Sequence, residues 1–153
     1  MREPAAGRNG PAVVIAADSA RARLFRAGTP DGPLEELEAL VNPQARLHEG
    51  DLVEDSAGRR GTRPTQAKRS ALGGETAKRH RAEEFAVAVC DRAARQLRAT
   101  RARRLYLVAE PEFLGLLRRC LDRSALRRVA GAVAKSVTGK PAGRIRAALP
   151  SRL

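Results

Sequence analysis

Between Pro11 and Asp18 the chain carries an unbroken apolar run, Ala12 to Ala17 (AVVIAA), which predicts a central strand buried on both faces. Asp18-Ser19 follows as a side-chain-bonded turn. Ala20 to Ala27 (ARARLFRA) alternates imperfectly and predicts a second strand, near an edge or under a long loop. Beyond the Gly/Pro connection Gly28 to Pro33, Leu34 to Val41 fits helical spacing, yet a strand makes the simpler hairpin with its predecessor. From Asn42 to Gly74 the periodicity fades. Ala82, Phe85, Ala86, Val89, Ala93 and Leu97 then recur at three- and four-residue steps, the buried stripe of a long helix from a Thr76 cap to about Ala99. Arg103 to Ala109 (RRLYLVA) reads as a strand. Pro111 suits the first position of a helix with Phe113, Leu114, Leu117 and Leu121 inward and Gly115 permitting close approach. Asp122 or Ser124 caps a further turn, a last strand falls around Arg128 to Val133, and a closing helix turns Ile145 and Leu149 inward. That order predicts an α/β fold, a mixed β-sheet with helices packed on it. Residues 1–10 read as an unstructured lead and 11–150 as one domain, within the usual size for 153 residues.

Charge changes the picture in one stretch above all. The formal net charge is +13, and Arg outnumbers Lys 26 to 4, so part of the excess reflects the composition of a GC-rich genome. Its placement is uneven. Between Arg59 and Arg81 stand Arg59, Arg60, Arg63, Lys68, Arg69, Lys78, Arg79 and Arg81, against Glu75 alone. With Ser, Thr, Gly and Pro64 interspersed, this predicts a long, basic, flexible loop at about 55–75 that ends in a turn at Gly73-Gly74 and orders on phosphates.

Other chemistry is sparse. Cys90 and Cys120 form no CxxC and fall on helical apolar positions, as buried free thiols do. His48 and His80 are too far apart and too isolated for a metal centre. Thr138-Gly139-Lys140 lacks the upstream spacing of a phosphate loop. Asp18 and Ser19, at a strand end, are candidates for metal or phosphate contact, although an Asx turn explains them equally. No catalytic triad, metal site or cofactor fingerprint is present in the sequence. Without an apolar leader or a run of membrane-spanning length, the chain is expected in the cytoplasm with no membrane insertion.

Several segments, in order, resemble the bacterial host attachment protein family. Val14-Ile15-Ala16-Ala17-Asp18-Ser19-Ala20-Arg21-Ala22-Arg23-Leu24-Phe25 is similar to its "VADSSRARIF" start, and Leu37 to Leu52, with Asn42-Pro43-Gln44-Ala45-Arg46, and Asp55 to Arg59 follow it. Leu107 to Arg118 (LVAEPEFLGLLR) looks like the family's "LVAPPRFLGxLR". Lys135-Ser136-Val137-Thr138 takes the place of "KDLT", with Ser136 where the family has Asp. A second resemblance is to the middle domain of archaeal and eukaryotic peptide-chain release factors. There a basic loop carrying Gly-Gly-Gln precedes an Arg-rich helix; here Gly73-Gly74-Glu75 stands at that place, with Glu for the critical Gln. The resemblance implies the fold of that middle domain and a ribosome, rRNA or tRNA partner.

Three functions follow as expectations. The first is an RNA- or ribosome-associated accessory module without catalysis of its own, binding through the basic residues from Arg59 to Arg81. The second is a peptidyl-tRNA or ribosome-linked hydrolase that uses Gly73-Gly74-Glu75. The third is a cytoplasmic factor that binds a protein partner and affects host attachment indirectly.

Overall fold

Strand β1 (Ala12–Ala17) is buried along its whole length, no residue of it more than 1% exposed, as its six consecutive apolar residues require. The computed structural model describes residues 10–45 and 64–153, with 64–72 by backbone alone. β1 pairs antiparallel with β2 (Arg21–Ala27), which pairs antiparallel with β3 (Leu34–Val41). On its other side β1 runs parallel to β4 (Arg104–Ala109), and β4 parallel to β5 (Val129–Ala134). The five-stranded order β3-β2-β1-β4-β5 is therefore mixed. The expected strand over Leu34 to Val41 forms, and its helical spacing is reconciled by a register shift. Leu24 faces Glu38 while Phe25 faces Glu36, so Leu37 is an extra residue that bulges β3.

Helices α1 (Pro64–Thr100), α2 (Pro111–Cys120) and α3 (Arg123–Arg128) lie between or beside these strands, and α4 (Ala142–Ala148) follows β5. Because side chains alternate across a strand, β1 feeds two cores. Val13 and Ile15, with Leu24, Leu105 and Leu107, meet the apolar stripe of α1 and Phe113, Leu114 and Leu117 of α2. Val14 and Ala16, with Phe25, Tyr106 and Val108, meet Ile145, Leu149 and Leu153. Pro111 opens α2 as expected, and Asp122 caps α3 by accepting from the Ala125 amide at 2.8 Å. Gly115 is not a close approach: a Cβ there would touch nothing within 4 Å.

The start of α1 corrects the expectation most. No turn occurs at Gly73-Gly74, and Thr76 is not a cap. The helix begins at Pro64, passes through both glycines, and ends at Thr100. Pro64 suits a first helical turn, where the missing N–H costs nothing. The intervening Gln66, Ala67, Lys68, Arg69, Ala71 and Leu72 are strong helix formers, and nucleation occurs once for all 37 residues. Each glycine costs only about 1 kcal/mol relative to Ala. The expected basic loop before residue 64, with Arg59, Arg60 and Arg63, lies outside the described residues. At the far end Arg101 adopts φ 55°, the Arg101 amide donates to Arg98 O, and the Ala102 amide donates to Leu97 O. This paired closure ends the helix and brings Ala102 into the core beside Leu97.

Arginines hold the periphery. Arg23 donates to both Glu36 carboxylate oxygens (2.8 and 3.1 Å) and to the carbonyls of Thr138 and Lys140, while its guanidinium lies 5.0 Å from the centre of the Phe25 ring. Arg146 donates to the carbonyls of Gly32, Pro30, Pro150 and Ser151, and Arg104 to those of Leu153 and Gly10. On α1, Arg92 and Gln96 both reach Glu38 of β3.

Two outcomes follow. A Cβ at Gly73 or Gly74 would meet nothing within 4 Å, so Gly73→Ala and Gly74→Ala should each add about 0.5–1 kcal/mol to α1. Far-UV circular dichroism should show greater helicity; a loss would point to the positive-φ turn instead. The hydrogen bond from Arg23 holds the Glu36 carboxyl below the usual carboxylate range. Its contribution is therefore present above about pH 4.3, the unfolded value, and is lost as pH falls through the lower folded value. Acid titration of stability should be shallower in Glu36→Gln than in the parent.

Candidate functional site

The chain leaves β1 toward β2 and leaves β4 toward β5, on opposite sides of two adjacent parallel strands. Such divergence opens a crevice at the carboxyl ends of the strands. A cleft of about 380 Å³ lies there, lined by Ser19, Glu75, Lys78, Arg79, Ala82, Glu110, Glu112, Phe113 and Leu116. Ser19 comes from the turn after β1, Glu110 and Glu112 from the junction of β4 and α2, and the remaining charges from α1. A second hollow of about 270 Å³ shares Arg79, Glu112 and Leu116 and adds Glu83 and Arg119, extending the cleft along the α1–α2 seam.

Helical repeat explains why α1 contributes charges here. Its inward face is apolar from Ala82 through Leu97, where sheet and α2 lie beneath it. One and two turns earlier the same face presents Arg79, Lys78 and Glu75. None of the residues from Gly73 to Glu84 is buried. The helix thus overhangs the strand ends with a charged underside. Phe85 and Phe113, ring centres 6.1 Å apart, fasten it to α2 immediately behind the cleft.

Of the residues picked out from sequence, Ser19, Glu75, Lys78 and Arg79 meet at this cleft. Arg81, half-buried on α1, does not line it. Gly73 and Gly74 lie farther along the helix, and Lys68 and Arg69 are on α1 outside the described side chains. Asp18 is absorbed by its turn. Its Oδ1 accepts from the Ala20 and Arg21 amides at 2.8 and 2.9 Å, and its Oδ2 lies 3.7 Å from Arg21 Nε. Buried Asn42 secures the same turn, donating to Ser19 O at 3.1 Å. Glu110 and Glu112 were not anticipated as site residues. They stand where the family segment quoted above carries Pro and Arg, and that contrast was the available signal.

No ion pair joins the cleft's cations to its carboxylates, and no His/Cys/Asp/Glu cluster able to hold a metal occurs among the described residues. His80 Nε2 lies 3.1 Å from Glu84 Oε1 on the open surface. Among the described residues no helix is long and apolar enough to cross a membrane.

The family model described as "Protein required for attachment to host cells" matches residues 13–149. The chain belongs to that family. Its match takes in β2 to β5, all of β1 but Ala12, α1 and the whole cleft, so the site is built within the host-attachment family's own segment. A comparison with curated proteins finds no match.

The cysteines of this family member do not serve the cleft. Cys90 is buried and donates to Leu117 O at 3.5 Å; Cys120 is half-buried rather than buried as expected. Burial pushes the Cys90 thiol up to about 12 and also raises that of Cys120. Titration of the native protein with a disulfide reagent at pH 8 should modify Cys90 only on unfolding, with Cys120 reacting slowly. Reaction of both at the rate of a free peptide thiol would contradict this packing.

Proposed function

We propose that this host-attachment family member is an accessory module that binds RNA, on the ribosome or free, through the leading half of α1. The carrying observation is the overhang. From Gly73 to Arg81 the helix stands clear of both cores while bearing Lys78, Arg79 and Arg81, and Lys68 and Arg69 lie in the preceding turns. A rigid helix presents cations at fixed intervals, so less ordering entropy opposes binding than for a flexible arm.

Geometry does not favour the hydrolase alternative. Amides of Gly73 and Gly74 lie inside α1, where helical hydrogen bonds engage them, so they are not free to orient a water.

Binding of a fluorescein-labelled oligouridylate, followed by anisotropy across salt concentrations, tests the proposal. Each phosphate contact to a single strand contributes about 0.7 to the slope of log affinity against log salt. Lys78→Glu with Arg79→Glu should therefore weaken binding and flatten the slope by about 1.4. An unchanged slope would remove α1 from the interface. Co-sedimentation with ribosomes in the presence of competing free RNA then separates ribosome recognition from general RNA affinity.

A further inference from the structure

The two edges of the sheet are unlike. β3 carries Glu35, Glu36 and Glu38, each paired with an arginine, and is interrupted by its bulge at Leu37. Charges and bulges of this kind keep an edge from pairing with another chain. β5, the opposite edge, reads Val-Ala-Gly-Ala-Val-Ala, with no charge and no proline. Its one irregularity falls at Ala130 and leaves Gly131 to Ala134 in regular parallel register with Tyr106 to Ala109. None of its residues is fully buried.

Internal packing accounts for only part of that composition. Gly131 must be small, because a Cβ there would lie 3.1 Å from the Tyr106 ring. Val133 packs against the second core. Ala130 and Ala134 are exposed, and nothing among the described residues requires either to be apolar. Exposed cations instead bracket the strand: Arg127 before it and Lys135 after it. Leu126, 41% exposed, adds an apolar side chain at the same end.

A second copy is a poor occupant. Antiparallel self-pairing centred between Gly131 and Ala132 would bring each copy's exposed Lys135 toward the end of the other copy's α3, where Arg127 is exposed, a like-charge approach made twice. A strand with carboxylates at its ends meets the opposite situation. We infer that β5 is a docking edge for an extended segment of a protein partner, with uncharged β-forming residues in its middle and acidic residues at both ends. The partner adds a sixth strand beside β5. Its backbone groups bond those that β5 turns away from β4, and its carboxylates meet Arg127 and Lys135.

The test uses the full chain labelled with ¹⁵N and two capped peptides of alternating valine and threonine, one with glutamates at both ends and one with lysines. The glutamate-ended peptide should shift resonances and slow exchange at alternate amides of β5, while the lysine-ended peptide leaves them unchanged. In the variant Arg127→Glu with Lys135→Glu, whose replaced side chains are exposed, the preference should invert. No β5 response to either peptide at millimolar concentration overturns the inference, as does an equal response to both. Concentration-dependent protection of β5 without peptide overturns it in favour of self-association. These outcomes are independent of RNA binding, which resides on α1.

Discussion

Complete burial of β1 is the constraint on which the other elements depend. A strand apolar on both faces needs a neighbour on each edge and a layer on each side. β2 and β4 supply the edges; α1 with α2, and α4 with the C-terminal residues, supply the layers. The pairing of β1 with an antiparallel strand on one side and a parallel strand on the other also creates the divergence at its carboxyl end. The cleft is thus a consequence of how the central strand is satisfied, and α1 passes over its edge because the helix covers β1 and β2 while α2 covers β4.

The arginine excess divides into two kinds. Arg23, Arg104 and Arg146 point at backbone carbonyls from distant parts of the chain, where a planar fork with several donors is more useful than a lysine ammonium. Lys78 and Arg79, in contrast, lie exposed above the cleft without an ion-pair partner among the described residues. Net charge alone does not separate structural from available cations. Their placement in the fold does.

The strands were legible because short apolar runs bounded by Gly, Pro and Asp have few other solutions in a chain of this size. The stripe from Ala82 to Leu97 likewise announced the buried half of α1. Its leading half was not legible. Gly73-Gly74 is a strong local turn signal, but a local cost of about 1 kcal/mol per glycine is small beside the cooperativity of a long helix. The carbonyl contacts of Arg146 escaped for a different reason: acceptors at Gly32 and Pro30 lie 114 and 116 residues away and carry no side-chain signature. Ser19, Glu75, Lys78 and Arg79 stood out in the sequence separately, as a strand-end turn, a loop tip and a basic arm, and only the fold brings them to one cleft. Glu110 and Glu112 joined it only once β1 and β4 were known to be adjacent and parallel.

The central claim is that α1 is one continuous helix that carries its cations beyond the sheet. Pulsed electron–electron resonance between spin labels at Gln66 and Val87, with Cys90 and Cys120 replaced by alanine, measures this directly. At about 1.5 Å of rise per residue a continuous helix places the two backbone sites about 32 Å apart, with a narrow distribution. A broad distribution, or one centred well below that separation, would show that the chain breaks at Gly73-Gly74 and that the overhang does not exist.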